Sequence, residues 1–223
     1  MKQSLAHPID RVAAPRTAAL CVASLAVFVA ISIAVQTVSM QVLDATALRW
    51  VGDQVTPGFA QWARGVGTWP YTAALVAFEI GLCVILARRK AWAQIEFVGA
   101  SVLGSYVLNR GLKLLFARER PVSFDLLTHE NGYAFPSGHA MACASIALVV
   151  ILVFWHHRHG RLALLAGVIF MLLVGLSRLL IGAHFPTDVL AGWAAGFTWV
   201  AACHALILRR DRPHMPKSST TIE

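Results

Sequence analysis

Six stretches of the chain are apolar almost without interruption: Ala18–Val38, Tyr71–Ala87, Ile95–Leu115, Ala140–Trp155, Leu162–Ile181 and Val189–Leu208. A helix needs about 20 such residues, with a range of about 17–25, to cross the hydrocarbon core of a bilayer. The second and fourth runs are at the short end, and Trp69-Pro70 and the Ser137-Gly138-His139 turn lengthen them. The pattern predicts an all-α polytopic membrane protein with six transmembrane helices in one bundle, over roughly 18–38, 71–87, 95–115, 137–155, 162–182 and 186–208. One transmembrane domain is expected over 1–209, followed by a polar cytoplasmic tail at 210–223 whose Pro and Ser content predicts disorder.

Composition supports this reading. The 223 residues are 57% hydrophobic and 13% charged, against about 25% charged for an average soluble domain. The first run is too long for a signal-peptide core and no small-residue cleavage site follows it, so it reads as a retained signal anchor. Cys21, Cys83, Cys143 and Cys203 each fall in a different run, none at metal-ligand spacing, and read as packing residues.

The net charge of +8 suggests nucleic acid until its distribution is followed. Twelve of the 19 Lys and Arg residues fall on the side shared by the two termini: Lys2, Arg11, Arg16, Arg88, Arg89, Lys90, Arg158, Arg161, Arg209, Arg210, Arg212 and Lys217. Positive residues accumulate on cytoplasmic loops, so both termini are expected in the cytoplasm, and no nucleic-acid partner is implied. The His156-His157-Arg158-His159 stretch reads as a polar turn at headgroup level in preference to a metal tract. Arg49 and Arg64 are ordinary charges of a first outer loop. Arg110, Lys113, Arg118, Arg120 and Arg178 run against the bias, and something on the outer face needs positive charge.

Three clusters converge on that face: Lys113-x6-Arg120-Pro121, Pro136-Ser137-Gly138-His139 and Ser177-Arg178-x5-His184-x3-Asp188. Ser137 is a good helix N-cap. The free N–H groups after it, with Gly138 in the first position, suit an anion; a capped helix with nothing bound is the plainer alternative. Pro186 suits the first turn of the sixth helix, and Asp188 falls where the helix dipole favours a carboxylate. Asp188 can hold one nitrogen of His184 and leave the other free to attack, although a capping Asp beside an interfacial His would have the same spacing. Arg178 and Lys113 sit at the margins of apolar helices, where cations are costly.

Together the clusters resemble the signature of the type 2 phosphatidic acid phosphatase superfamily, in order and in spacing, from Lys113 to Asp188. The resemblance implies that His184 attacks phosphorus to form a phosphohistidine, with Asp188 orienting its ring. It implies that His139 protonates the leaving oxygen and then activates water. Lys113, Arg120, Arg178, Ser137 and the Gly138 N–H would hold the non-bridging oxygens. No metal or other cofactor is expected, since three cations already meet the phosphate. Vanadium haloperoxidases resemble the same motifs, so a vanadium-haloperoxidase-like helical core is expected; the six-span layout argues against their oxidative chemistry.

The implied substrate is a membrane lipid phosphate or pyrophosphate: phosphatidic acid, phosphatidylglycerol phosphate, undecaprenyl pyrophosphate or a lipid A phosphate. The expected setting is a bacterial inner membrane with the site facing outward. A lipid-to-lipid phosphotransferase would use the same residues, and a lipid-phosphate transporter or binding protein would need only the cations. The loop Val122–Phe135, with Asp125, His129 and Glu130, is the expected selectivity element. Glu79, within the second run, reads as a structural carboxylate bonded to Ser105, Tyr106 or Asn109. Gly192-x3-Gly196 fits close packing within the bundle or a homodimer contact.

Overall fold

The computed structural model describes residues 13–66, 69–121, 131–155 and 160–210. These form eight helices: α1 (Ala13–Ala34), α2 (Val38–Asp53), α3 (Pro57–Val66), α4 (Trp69–Arg88), α5 (Trp92–Phe116), α6 (Gly138–Phe154), α7 (Gly160–Leu180) and α8 (Pro186–Arg210). The six long ones coincide with the six apolar runs. Three helical stretches, 16–34, 160–180 and 186–207, are by length and composition able to cross a membrane, and α6 is apolar but shorter.

The segment between the first two runs departs from the expected outer loop. It folds as α2 and α3. Thr37 has extended backbone and its hydroxyl accepts a hydrogen bond from the Met40 N–H, which starts α2 at Val38 and stops α1 four residues before its apolar run ends. Pro57 opens α3, where its missing N–H costs nothing. Residues 122–130 of the expected loop Val122–Phe135, the 156–159 turn and the tail beyond 210 lie outside the described residues.

Helix α8 is the axis of the bundle, packed against α1, α5 and α6, while α7 packs on α6 and α4 on α5. Close approach of α6 and α8 needs the two glycines of the Gly192-x3-Gly196 pair. A Cβ on Gly192 would lie 2.7 Å from the Ser137 carbonyl oxygen, and one on Gly196 2.8 Å from that of Met141. The pair therefore serves packing within the bundle. Away from the motif residues, Leu82, Phe97, Val98, Leu148, Val149 and Val200 form an apolar core between α4, α5, α6 and α8. Ser105 and Asn109, expected near Glu79, turn toward α6: Ser105 bonds to Ser145 at 2.9 Å and Asn109 to the Pro136 carbonyl at 3.3 Å.

The exit from α7 is built by a glycine. Gly182 has φ +67°, and the N–H groups of Gly182 and Ala183 bond back to the carbonyls of Leu179 and Arg178 at 2.9 and 3.0 Å. This paired 5→2 and 6→1 closure needs a left-handed residue, which glycine adopts without a Cβ penalty. The turn carries His184 back over the helix that holds Arg178.

Candidate active site

The three motif clusters meet at one end of the bundle, where α5 and α7 finish and α6 and α8 begin. Two backbone links fasten this end. The Ser137 N–H donates to the Asp188 carbonyl at 2.9 Å, so the starts of α6 and α8 are tied to each other, and the Ala134 N–H donates to the Arg118 carbonyl at 2.8 Å. Ser137 caps α6 as expected, its Oγ accepting from the Ala140 N–H at 3.4 Å. Gly138 has little room for a side chain, since a Cβ there would lie 3.1 Å from Asn109 Oδ1 and 4.0 Å from Lys113 Cε. His139 follows and is half-buried.

His184 and Asp188 are both buried, at 1% and 0% exposure. One ring nitrogen of His184, Nδ1, lies 3.5 Å from Asp188 Oδ2, at the outer limit of a hydrogen bond. The other, Nε2, lies 3.1 Å from Arg120 Nη1. A guanidinium has donors only. A neutral imidazole in this position would accept at Nε2 and carry its proton on Nδ1, on the side of Asp188. That is the tautomer a nucleophilic imidazole requires. Asp188 is held in turn by the Phe185 N–H, which donates to Oδ2 at 2.9 Å.

The expected phosphate-binding cations are each anchored to a backbone carbonyl. Arg120 donates from Nε to Gly132 at 2.9 Å and from Nη1 to Ala183 at 2.9 Å. Lys113 donates to the Tyr133 carbonyl. Arg178, fully buried, donates to Ser177 Oγ at 3.0 Å and to the Ala63 carbonyl at 2.9 Å. The last bond reaches α3, so the helical segment that replaced the expected loop helps to close this end of the bundle. Beside Arg120 lies a cavity of about 390 Å³, bounded by Gln36 and Gln41 at the α1–α2 turn and by Phe116, Phe135 and Phe185.

Two polar residues of this cluster were not among the sequence candidates. Asp44 of α2 is 2% exposed, and Arg118 lies between the motif residues Lys113 and Arg120. In the sequence Arg118 stands out only as one of the cations that run against the charge bias. Asp44 gave no motif signal at all, because its partners are more than 70 residues away.

The chain is similar to several known proteins. Over 131 residues the chain is 34% identical to phosphatidylglycerophosphatase B of Bacillus subtilis (strain 168), covering 54% of this chain and 63% of that protein. It is 31% identical over 141 residues to an undecaprenyl-diphosphatase of Sulfolobus acidocaldarius, covering 59% of each. It is also 31% identical over 157 residues to a lipid A 1-phosphatase of Rhizobium johnstonii, covering 63% of this chain and 62% of that one. The chain thus spans about three fifths of the length of these curated relatives. The crystal structure of a transmembrane PAP2-type phosphatidylglycerolphosphate phosphatase from Bacillus subtilis superposes with a TM-score of 0.73 at 23% identity, over 87% of this chain and 98% of that one, which establishes a shared fold. The profile of the PAP2 superfamily matches residues 96–212, just over half of the chain and all three motif clusters, and the protein belongs to that superfamily.

Proposed function

We propose that the protein is a lipid phosphatase that removes a phosphate or pyrophosphate group from a membrane lipid without a metal, through a phosphohistidine. The observation that carries the reading is the setting of the His184 ring, with Arg120 Nη1 3.1 Å from Nε2 and Asp188 Oδ2 3.5 Å from Nδ1. A site that only captured phosphate would need the cations but no imidazole prepared for attack. The names of the relatives, all lipid phosphatases or diphosphatases, support the same class.

In the first step Nε2 of His184 attacks phosphorus as the bond to the leaving oxygen breaks, and His139 supplies the proton that oxygen takes up. In the second, His139 removes a proton from water, which attacks phosphorus and releases phosphate and His184. Asp188 supports the ring while it carries positive charge. Lys113, Arg120 and Arg178, with Ser137 and the Gly138 N–H, hold the non-bridging oxygens. Fixed donors of this kind supply the largest part of many rate enhancements, and phosphoryl transfer depends mainly on positioning and charge stabilisation.

The cavity beside Arg120 is the natural place for the group next to the phosphate. Its aromatic wall and two amides suit a lipid headgroup region. Read as six spans, the positive-inside bias of the loops supports an outer membrane face for this end of the bundle. The test is phosphate release by the purified protein in detergent with EDTA, on phosphatidic acid, phosphatidylglycerol phosphate and undecaprenyl pyrophosphate, each beside His184→Ala. Release that the substitution abolishes supports the reading. Release that EDTA stops and Mg²⁺ restores, or that His184→Ala leaves intact, overturns it.

A further inference from the structure

The least expected feature of this end of the bundle is a guanidinium between two buried carboxylates. Arg118 Nη1 lies 2.6 Å from Asp188 Oδ1 and 2.9 Å from Thr187 Oγ1, and Nη2 lies 2.8 Å from Asp44 Oδ2. Asp44 also accepts from the Thr187 N–H at 3.2 Å and from the Thr187 hydroxyl. The Phe185 ring lies 4.4 Å from Arg118 Cζ and closes one face of the guanidinium. Asp44 and Asp188 are 2% and 0% exposed and Arg118 13%. Ala117, at φ +44°, ends α5 and turns the chain so that Arg118 points into this group.

We infer that Asp44 and Arg118 are positioning residues for the nucleophile, acting through Asp188. The inference rests on the phosphatase reading above. Arg118 fixes one oxygen of Asp188, and the Phe185 N–H fixes the other, on the side that faces His184. The carboxylate therefore cannot rotate away from the ring. Asp44 has a different task. Arg118 and Asp188 alone would form a neutral pair and would weakly support an imidazole that becomes positive when phosphorylated. With Asp44 the group of three carries one net negative charge beside His184. Asp44 lies on α2, outside the residues the superfamily profile matches, so the device joins a family motif to a part of the chain that the motif does not contain.

A plain structural tie between α2 and α8 would use the same bonds, and the two roles differ in how their losses combine. Arg118→Gln removes the cation from between two buried carboxylates, Asp44 held by Thr187 and Asp188 by the Phe185 N–H, and like charges left facing each other disfavour the ionised form of both. Removing Asp44 as well leaves Asp188 as the single carboxylate of the former pair, still facing His184 Nδ1. The experiment compares Asp44→Asn, Arg118→Gln and the double variant of the full chain in detergent, with phosphatidylglycerol phosphate as substrate. Thermal unfolding is recorded for each. Losses of about 10-fold and 100-fold in kcat are expected for the two single variants at unchanged KM, with the double variant about 10-fold faster than Arg118→Gln. Losses that multiply, with the double variant slowest and melting temperatures falling in step, would overturn the inference.

A second readout does not depend on turnover. In protein labelled with ¹⁵N-histidine, the Nδ1–H signal missing from His184→Ala identifies the ring. It should disappear in Arg118→Gln and return in the double variant; a signal indifferent to both would count against positioning. If the wild type releases phosphate from no lipid, the phosphatase reading falls and this signal alone decides the positioning. If Arg118→Gln does not fold, Asp44→Asn decides: a lower kcat at unchanged KM supports the inference, and an unchanged kcat defeats it.

Discussion

The two halves of this bundle are held together by different physics. In the half without the motifs, Leu82, Phe97, Val98, Leu148, Val149 and Val200 meet as apolar surfaces. In the other half, Asp44, Arg118, Arg120, Arg178, Thr187 and Asp188 meet through hydrogen bonds between residues distant in sequence. Shape and volume are enough to define the first half, and several side-chain sets of similar volume would fill it. Direction defines the second, because a buried polar group without its partner is costly. Lipid adds a further contrast. Between helices in a bilayer the hydrophobic effect gives little drive to associate, so close glycine contacts and polar bonds carry more of the specificity.

The contrast can be broken most severely at the proposed nucleophile, His184. His184→Ala should lower phosphate release by about 10³-fold or more while the protein still elutes as a folded species, since truncating a nucleophile removes chemistry before structure. Asp188→Asn should follow, with a loss of about 10²–10⁴ in kcat and a smaller change in KM. Retained activity in Asp188→Asn would show that the 3.5 Å approach to Nδ1 is incidental.

The seam between the halves gives a smaller effect of another kind. A methyl group at Gly192 meets the Ser137 carbonyl at 2.7 Å. Gly192→Ala should therefore destabilise by about 1–3 kcal/mol, read as a lower midpoint of thermal unfolding in detergent. It should also reduce kcat, because Ser137 caps the helix that carries His139. The least disturbance is expected in the apolar half. Val98→Ala should cost about 1 kcal/mol and leave kcat and KM unchanged; an altered kcat there would mean that the halves are coupled.

The same division governs what could be read from the sequence. The long helices were legible because apolar runs of spanning length have few alternatives. The motif residues were legible as a set because Lys113, Ser137 and Asp188 sit at fixed distances from neighbours of the same chemistry, and the structure brings all three clusters together. The helices α2 and α3 were not legible, although Thr37 and Pro57 are ordinary starting signals, because Val38 looked like the continuation of α1. Asp44 was hidden for a deeper reason. Nothing near it in sequence marks it, and its meaning comes from Arg118 and Thr187, which only the folded bundle brings within 3.2 Å.

The pairing of α1 with α8 also bears on how the molecule is made. The first long helix finds its main partner in the last, where Thr198 donates to Ser24 at 3.0 Å across 174 residues of chain. During synthesis α1 must wait for this partner while all the intervening chain is made. Contacts of such long range close slowly and late. Because α8 also carries Asp188 and holds Ser137 in place, the end that bears the motif residues cannot be assembled before α8 arrives. The proposed site is therefore a late product of folding, absent until α8 has joined α1.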